Sequence, residues 1–358
     1  MTEAGSNPLA TDGFEFVEYS TQHPEQLEQL FERLGFCAIA RHRRKPVTLY
    51  RQGDINFILN AQAQGQPAAF SRLHGPSANA IAFRVRDAAD AMDRLTALGA
   101  TPVACGAGPM ELCIPAIEGI GGSLIYLVDR YGEQDIYEID FIPLPGVDQH
   151  PAGVGLTVID HLTHNVERGH MDYWADFYQR LFNFRQIRYF DIKGRQTGLH
   201  SRAMTSPCGK IRIPINESSD DQSQIAEYLR DHNGEGIQHI ALASEDIYAS
   251  VEALRQRGLA FMDTPDSYFD AIERRLPGHG EDLERLRRNR ILIDGETLDR
   301  SDEDLLLQIF TDKVIGPIFF EIIQRKGNQG FGEGNFQALF DSIEQDQLRR
   351  GVIKATGE

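Results

Sequence analysis

The chain has 358 residues, of which 41% are hydrophobic and 25% are charged, which is typical of a globular protein with enough apolar material for two cores. Its formal net charge of -17 would repel nucleic acids and anionic membrane surfaces, so neither is expected as a partner. The longest apolar stretch, from Val314 to Ile323, is too short to span a bilayer and contains Glu321.

Hydrophobic periodicity in the first half predicts strands and amphipathic helices in a regular order. A strand, a helix, a strand, a helix and a strand are expected over residues 14–19, 24–34, 79–83, 87–95 and 123–128. The second half repeats this order over residues 159–164, 171–181, 238–242, 246–254 and 318–323. Gly99 and Gly258 end the second helix of each half, as helix C-termini favour. The chain therefore contains an internal repeat.

A stretch rich in proline and glycine, residues 143–151, separates the two copies and has the composition of a domain linker. We expect an α+β protein with one domain over residues 1–150 and a second over residues 151–358. The second half carries an insertion of acidic and basic residues from Asp266 to Arg290, which is interpreted as a solvated loop rather than a helical excursion.

The matched strands of the two copies differ in chemistry. The second half carries His161, His239 and Glu321, each in the middle of a strand. The matched positions of the first half hold Phe16, Ala80 and Tyr126. A lone histidine on a strand is more often a hydrogen-bonded core residue than a ligand, and an unpaired carboxylate in a buried strand costs several kcal/mol. The three together therefore indicate a cation site that only the second half possesses.

Two imidazoles and one carboxylate form a facial triad, which leaves open positions on one side of an octahedral ion and usually holds Fe(II). Zinc is the competing ion, since two histidines and a glutamate also bind hydrolytic zinc. Such zinc sites usually place both histidines on one helix, and no H-E-x-x-H segment occurs here, so iron is favoured. His164 should point to the opposite face of its strand from His161 and is interpreted as structural.

The four cysteines, Cys37, Cys105, Cys113 and Cys208, lack C-x-x-C spacing and are predicted to be isolated reduced thiols. The amino terminus has neither a basic start nor an apolar core, so no signal peptide is predicted. A cytoplasmic location is expected.

The carboxy-terminal region begins with four glycines, Gly327, Gly330, Gly332 and Gly334, whose spacing does not fit a phosphate-binding loop. They are interpreted as a hinge. Apolar residues then recur at helical spacing and predict a helix that packs on the body of the protein, either as core or as a lid over the metal: Phe336, Leu339, Phe340 and Ile343.

Several segments of the second half resemble the 4-hydroxyphenylpyruvate dioxygenase family. They are residues 235–242, 306–311, 320–325 and 330–336. The resemblance implies the vicinal oxygen chelate architecture, in which tandem βαβββ modules curl a mixed sheet around a metal. It also implies one Fe(II) per chain held by His161, His239 and Glu321, with 4-hydroxyphenylpyruvate and O2 as substrates and homogentisate as product of tyrosine catabolism. The first half resembles the family more weakly.

The same resemblance implies which residues surround the substrate. The matching positions are Ser201, Pro214, Asn216, Gln224, Gln238, Gln308, Phe310, Phe331 and Phe336. Amide side chains of this set can hydrogen-bond a phenol or keto-acid oxygen, and the phenylalanines can stack on a ring.

Three alternatives remain open. Hydroxymandelate synthase is similar in triad and substrate but hydroxylates the benzylic carbon. Other enzymes of the same architecture, such as an extradiol dioxygenase or a glyoxalase, form the second alternative. A glyoxalase takes metal ligands from both modules, and Phe16, Ala80 and Tyr126 of the first half provide none. The alternative of another class is a metal-free binding protein. The family also suggests a homo-oligomer, either a dimer or a tetramer, with the first half serving assembly.

Overall fold

The computed structural model describes residues 6–108, 110–132, 134–193, 198–221, 223–296 and 304–338. The strands of the first half are β1 (Phe14–Ser20), β2 (Cys37–His42), β3 (Val47–Gln52), β4 (Ile55–Asn60), β5 (Ser77–Arg84), β6 (Pro102–Val103), β7 (Ala116–Glu118), β8 (Leu124–Val128) and β9 (Phe141–Pro143). Its helices are α1 (Pro24–Arg33), α2 (Gly65–His74), α3 (Ala88–Ala97) and α4 (Tyr137–Asp140), with a 3-10 turn at Ile120–Gly122.

The strands of the second half are β10 (Leu156–Val166), β11 (Arg185–Lys193), β12 (Gly198–Thr205), β13 (Arg212–Ser218), β14 (Gly236–Ser244), β15 (Leu292–Glu296), β16 (Asp304–Phe310) and β17 (Phe319–Lys326). Its helices are α5 (Met171–Phe182), α6 (Gln224–His232), α7 (Ile247–Gln256), α8 (Asp266–Asp270), α9 (Ile272–Arg275) and α10 (Leu283–Asn289). Residues 333–338 are also helical.

Each half forms one mixed sheet from two βαβββ modules. The first sheet has the order β6-β7-β8-β5-β1-β4-β3-β2-β9, and the second has the order β11-β12-β13-β10-β14-β17-β16-β15. The first strands of the paired modules lie antiparallel at the centre, β1 beside β5 and β10 beside β14. The last strand of each module then runs parallel to a central strand, as β17 does to β14. The predicted tandem α+β fold is confirmed.

The buried apolar core extends across both halves. The rings of Phe57 in β4 and Phe320 in β17 lie 5.8 Å apart between centroids, and both side chains are buried. Between the sheets, residues 144–155 form neither strand nor helix, as the proline and glycine content predicts. The division at residue 150 remains a prediction of two domains, because the apolar core is shared.

The segment from Asp266 to Arg290 is not the solvated loop that its charge suggested, because α8, α9 and α10 occupy most of it. Tyr268, Phe269 and Ile272 are buried, and they anchor the short helices to the core. The charged residues then pair on the outer face, and one such pair joins Arg287 to Asp270 at 2.8 Å. Burial of these few apolar side chains therefore makes the segment helical, although most of its residues are charged.

The prediction of four isolated thiols is wrong for Cys105 and Cys113, which form a disulfide with a Cα to Cα distance of 5.9 Å. These cysteines flank a glycine-containing loop, and closure of that loop brings them together although their spacing matches no common motif. Cys37 and Cys208 are free. No helix among the described residues is long and apolar enough to cross a membrane.

Candidate metal centre

His161, His239 and Glu321 lie on three adjacent strands of the second sheet. In β10 and β14, His161 pairs with Ala241 and Thr163 with His239, while Ala241 of β14 pairs with Glu321 of β17. Side chains two residues apart on a strand share a face, so the three functional groups project from the same side of the sheet. The mid-strand placement expected from the sequence is confirmed, and all three residues are buried.

The ligand atoms of the three side chains converge on one point. Glu321 Oε2 lies 3.2 Å from His161 Nε2 and 3.4 Å from His239 Nε2, and the two imidazole nitrogens are 3.4 Å apart. A divalent ion about 2.1 Å from each atom gives separations of about 3.0 Å on an octahedral face and about 3.4 Å in a tetrahedron. The other carboxylate oxygen, Glu321 Oε1, is buried without a partner among the described residues. The donor set fits a metal ion.

Two register shifts aim the histidines into this cluster. The pairing of β10 with β14 slips between Ile159 and His161, at Asp160, and again between Thr163 and His164, where Gln238 is passed over. Each irregularity thus immediately precedes a histidine of the triad. Bulges of this kind re-aim neighbouring side chains and are common beside active sites.

The two residues at these shifts also orient the imidazole rings. Asp160 Oδ1 lies 2.8 Å from His161 Nδ1, and Gln238 Oε1 lies 3.0 Å from His239 Nδ1. Both acceptors hold the proton on Nδ1, so each Nε2 keeps a lone pair that points at the metal position. The chain therefore presets the tautomer that a metal requires.

Asp160 is itself held by two arginines. Arg325 binds it bidentately, with Nε and Nη2 each donating at 2.8 Å, and Arg212 Nη1 lies 3.4 Å away. Burial opposes ionisation of Asp160, but the bonds from Arg325 and His161 hold its pKa well below the usual range. Arg325 also donates to the carbonyl oxygen of Gly330, and it thereby ties the triad to the carboxy-terminal segment.

The pKa values of the three side chains show how the cluster is charged when no ion is bound. Burial disfavours a proton on His161, but Glu321 and Asp160 outweigh it and raise the pKa of that imidazole. Burial also disfavours ionised Glu321, but His161 lowers the carboxyl pKa. Without an ion, the pair therefore favours a proton on the His161 imidazole beside the ionised Glu321 carboxylate, and a metal ion would take the place of that proton. His239 behaves differently, because burial lowers its pKa.

His164 has no part in the cluster. It is fully buried on the other face of β10, where its Nε2 lies 2.7 Å from the hydroxyl of Tyr178 in α5. Its interpretation as a structural residue is confirmed.

A cavity of about 270 Å³ opens above the triad. Eight of the residues predicted to surround a substrate line it: Ser201, Pro214, Asn216, Gln224, Gln238, Phe310, Phe331 and Phe336. The ring of Phe331 stands edge-on to His161 with 5.3 Å between centroids, and Phe310 lies 6.4 Å from Phe336. The wall therefore combines several phenylalanine rings with aliphatic and amide side chains.

Gln308 is the exception, because it is not part of the cavity wall. It is buried in β16, where its side chain lies behind the turn at Gly332. Gly332 has φ +79°, and a Cβ atom there would come within 1.9 Å of Gln308 Oε1. A glycine is thus required by both conformation and space. Of the predicted carboxy-terminal helix, Phe336 lies within helical residues 333–338, and Leu339, Phe340 and Ile343 lie outside the described residues.

Comparison with known proteins places this chain in a family. The family profile described as "Hydroxyphenylpyruvate dioxygenase, HPPD, N-terminal" matches residues 6–142, and that described as "Glyoxalase/Bleomycin resistance protein/Dioxygenase superfamily" matches residues 158–271. A 4-hydroxyphenylpyruvate dioxygenase from Pseudomonas aeruginosa is 59% identical over 97% of this chain and 97% of its own length. The chain belongs to the 4-hydroxyphenylpyruvate dioxygenase family.

Two further proteins are similar to the chain over nearly its whole length. A protein named Hemolysin VllY from Vibrio vulnificus is 61% identical over 97% of this chain and 98% of its own length. A solved triple mutant of 4-hydroxymandelate synthase from Streptomyces coelicolor superimposes with a TM-score of 0.79 at 25% identity, covering 94% of this chain and 99% of that one. The 4-hydroxyphenylpyruvate dioxygenase family and 4-hydroxymandelate synthase thus share the vicinal oxygen chelate fold.

Several residues of the centre were missed by sequence reasoning. Thr163 lines the cavity and its hydroxyl lies 3.0 Å from His239 Nε2, and Phe319 stacks on the same ring at 4.9 Å. Strand alternation could have found both, because each lies two residues from a triad member. Asp160 and Arg325 carried no such signal, since their contact depends on the register shift and on a sequence separation of 165 residues.

Proposed function

We propose that the chain is an Fe(II)-dependent dioxygenase that converts 4-hydroxyphenylpyruvate and O2 to homogentisate and CO2 in tyrosine catabolism. The reaction combines oxidative decarboxylation, ring hydroxylation and migration of the side chain. The observation that carries the proposal is the convergence of His161, His239 and Glu321 at the floor of an aromatic cavity. One ion per chain would bind there, and bound Fe(II) would supply O2 activation and chelation of a 2-oxo acid.

The charge of the donor set supports a keto acid as ligand. Two neutral imidazoles and one carboxylate leave a divalent ion with one positive charge, which the substrate carboxylate would neutralise. The chain as a whole carries a net charge of -17, so this local charge is needed to attract an anion.

The cavity wall would orient the aromatic end of the substrate. Phe331 and Phe336 provide ring contacts, and Asn216 and Gln224 provide amide donors and acceptors for a phenol. The two ends of the Gln238 amide would serve different partners. Its Oε1 accepts from His239 Nδ1, and its amide nitrogen would donate to the substrate. The aromatic wall would also exclude water from the reacting ring.

Product analysis tests this function against its nearest rival. Purified protein loaded with Fe(II) is incubated with 4-hydroxyphenylpyruvate and O2, and the products are separated by chromatography. We expect homogentisate, in line with the near full-length relatives that bear the dioxygenase name. Hydroxymandelate would support the benzylic hydroxylation of the structurally similar synthase instead. Absence of both products and of bound iron would favour a metal-free binding protein.

Oligomeric assembly as a dimer or tetramer remains a prediction of the family resemblance, and a cytoplasmic location remains a prediction from the cysteine spacing and the amino-terminal sequence. Size-exclusion chromatography with light scattering measures the first directly.

A further inference from the structure

The first half contains a cavity at the place that corresponds to the metal centre of the second. Its volume is about 390 Å³, compared with about 270 Å³ for the cavity above the triad. Phe16 and Tyr126, the counterparts of His161 and Glu321, form part of its wall. These residues supply no metal ligand, so the cavity has lost the chemistry of its counterpart and has kept the space.

A buried carboxylate lies in the wall of this cavity. Glu18 pairs with Ala80 across the central strands, as Thr163 pairs with His239 in the second half. Its Oε1 accepts hydrogen bonds from Asn79 at 2.7 Å and from Asn60 at 3.1 Å. Both donors go to the same oxygen, and Oε2 makes no hydrogen bond with the residues that the structure describes, so it can accept one from a ligand. Burial raises the pKa of the Glu18 carboxyl although Asn79, Asn60 and Lys45 act to lower it, so a cation bound in the cavity would offset part of the cost of burying the carboxylate.

A second carboxylate lines the same cavity. Asp140 is 6% exposed, and its Oδ2 accepts a hydrogen bond from the backbone nitrogen of Leu112. Its Oδ1 is buried and has no hydrogen-bond partner among the described residues. Such an oxygen is costly unless a donor reaches it. Asp140 therefore adds a second carboxylate to the wall, which favours a ligand that donates hydrogen bonds over one that only accepts them.

The positive charge of the wall is already compensated. Lys45 lines the cavity, but its ammonium pairs with Glu111 Oε2 at 2.8 Å. His42 also lines the cavity, and burial together with Lys45 lowers its pKa and keeps it neutral. The polar part of the cavity therefore favours a cation over an anion.

The rest of the wall is apolar. Phe16, Val47, Ile58, Ile114 and Tyr126 surround the polar floor, and the rings of Phe16 and Tyr126 lie 5.6 Å apart. A ligand that fits this environment has a compact hydrophobic body and one charged end. The size and the aromatic contacts suit a single ring.

We propose that this cavity, hereafter the amino-terminal cavity, binds a small aromatic primary amine, whose ammonium group donates to Glu18 while its ring packs against the apolar wall beside Phe16 and Tyr126. This is a ligand site separate from the metal centre. It requires no metal and no chemical step.

Calorimetric titration of the full-length protein tests the proposal with three probes of equal ring size: 2-phenylethylamine, 2-phenylethanol and phenylacetate. We expect saturable binding of the amine, weaker binding of the alcohol and none of the acid. Glu18→Gln should weaken the amine by about tenfold or more, because a hydrogen bond to a charged group is lost. Glu25→Gln on α1 removes the same charge from an exposed side chain and should leave the affinity unchanged.

A second variant covers the possibility that Glu18→Gln disturbs the asparagines around it. Ala104 is exposed at the mouth of the cavity, and Ala104→Trp should block amine entry while Glu18 stays intact. Thermal unfolding of each variant verifies that it folds.

Three results would overturn the proposal. They are absence of amine binding, equal affinity for the amine and the acid, and undiminished amine binding in folded Glu18→Gln and Ala104→Trp. Loss of binding in Asn216→Ala but not in Glu18→Gln would place the amine in the second-half cavity and would equally contradict it. Because the readout is binding alone, the result does not depend on the dioxygenase reaction.

Discussion

The two halves shift register at matching points but use the resulting positions differently. In the first half the pairing of β1 with β5 slips at Glu15 and at Asn79, and in the second half β10 and β14 slip at Asp160 and at Gln238. The backbone irregularities that aim the triad are therefore part of the repeat itself. The candidate metal site depends on side chains placed on a scaffold that is common to both halves.

The substituted positions show how little separates a core from a metal centre. Phe16 and Tyr126 pack ring against ring at 5.6 Å, where His161 and Glu321 bring a nitrogen and an oxygen to 3.2 Å. Ala80, which has no polar group, takes the place of His239. The first pair needs no partner, whereas the second pair is unfavourable in a buried site without a cation.

The largest expected effect comes from removing the anionic ligand. Glu321→Gln should abolish stoichiometric iron binding and homogentisate formation, because a neutral amide is a poor ligand and leaves the site with too little negative charge. Tyr126→Phe, at the matching position of the first half, should keep both. Metal analysis and product chromatography of the two variants make the measurement. Retention of iron by Glu321→Gln would show that the ion binds elsewhere.

A smaller effect is expected from the residue that orients the first histidine. Asp160→Asn should lower iron affinity by about 10–100-fold, because it weakens the acceptor that fixes the proton on His161 Nδ1. The counterpart at the register shift of the first half is Glu15, which pairs with Arg84 at 2.6 Å. Glu15→Gln should lower the free energy of unfolding but not iron affinity. Equal iron affinities for Asp160→Asn and the unmodified protein would remove Asp160 from the account.

The aromatic cover of the triad should affect coupling rather than iron. The centroid of the Phe331 ring lies 5.3 Å from that of the His161 ring and 5.7 Å from the guanidinium carbon of Arg325. Phe331→Ala would admit water above the metal, so less homogentisate should form per O2 consumed while iron content stays constant. An oxygen electrode and product chromatography give the ratio. An unchanged ratio would mean that Phe331 does not protect the reaction.

The smallest effect concerns pH and the opposite face of the central strand. Burial lowers the pKa of His164 from 6.5 to about 3, so the folded protein keeps it neutral while the unfolded chain takes up a proton below pH 6.5. Stability should therefore fall as pH decreases from 6.5 toward 3, by about 1.4 kcal/mol between pH 7.5 and pH 5.5.

The matched residue in the first half, Tyr19, supplies the control for this prediction, because burial raises its pKa well above the usual value and it does not titrate in that range. Urea unfolding at both pH values should show a reduced pH dependence in His164→Gln and an unchanged one in Tyr19→Phe. The same pH dependence in all three proteins would contradict the assignment to His164.

Much of the architecture could be predicted from the sequence because the repeat doubled each signal. The strand positions of His161, His239 and Glu321 followed from matching the two copies, and the registers of both sheets agree with that match. The position of His164 on the opposite face of β10 followed from the alternation of side chains along a strand.

Other features depended on tertiary contacts that no local pattern encodes. Arg325 reaches Asp160 because β17 and β10 lie on either side of β14. The side chain of Gln308 packs against Gly332 and is not part of the cavity wall. The bond between Cys105 and Cys113 likewise follows from the path of a loop. Local composition also misled at Asp266 to Arg290, where a few buried aromatic residues outweighed many charges.

The central claim is that the second half holds Fe(II) in a form that a 2-oxo acid can chelate. It is tested most directly by anaerobic titration of the Fe(II)-loaded protein with 4-hydroxyphenylpyruvate, followed by visible absorption. We predict a charge-transfer band that saturates at one substrate per chain and is absent in Glu321→Gln. Iron-loaded protein that binds the substrate without developing this band, or a band of equal strength in Glu321→Gln, would contradict the account.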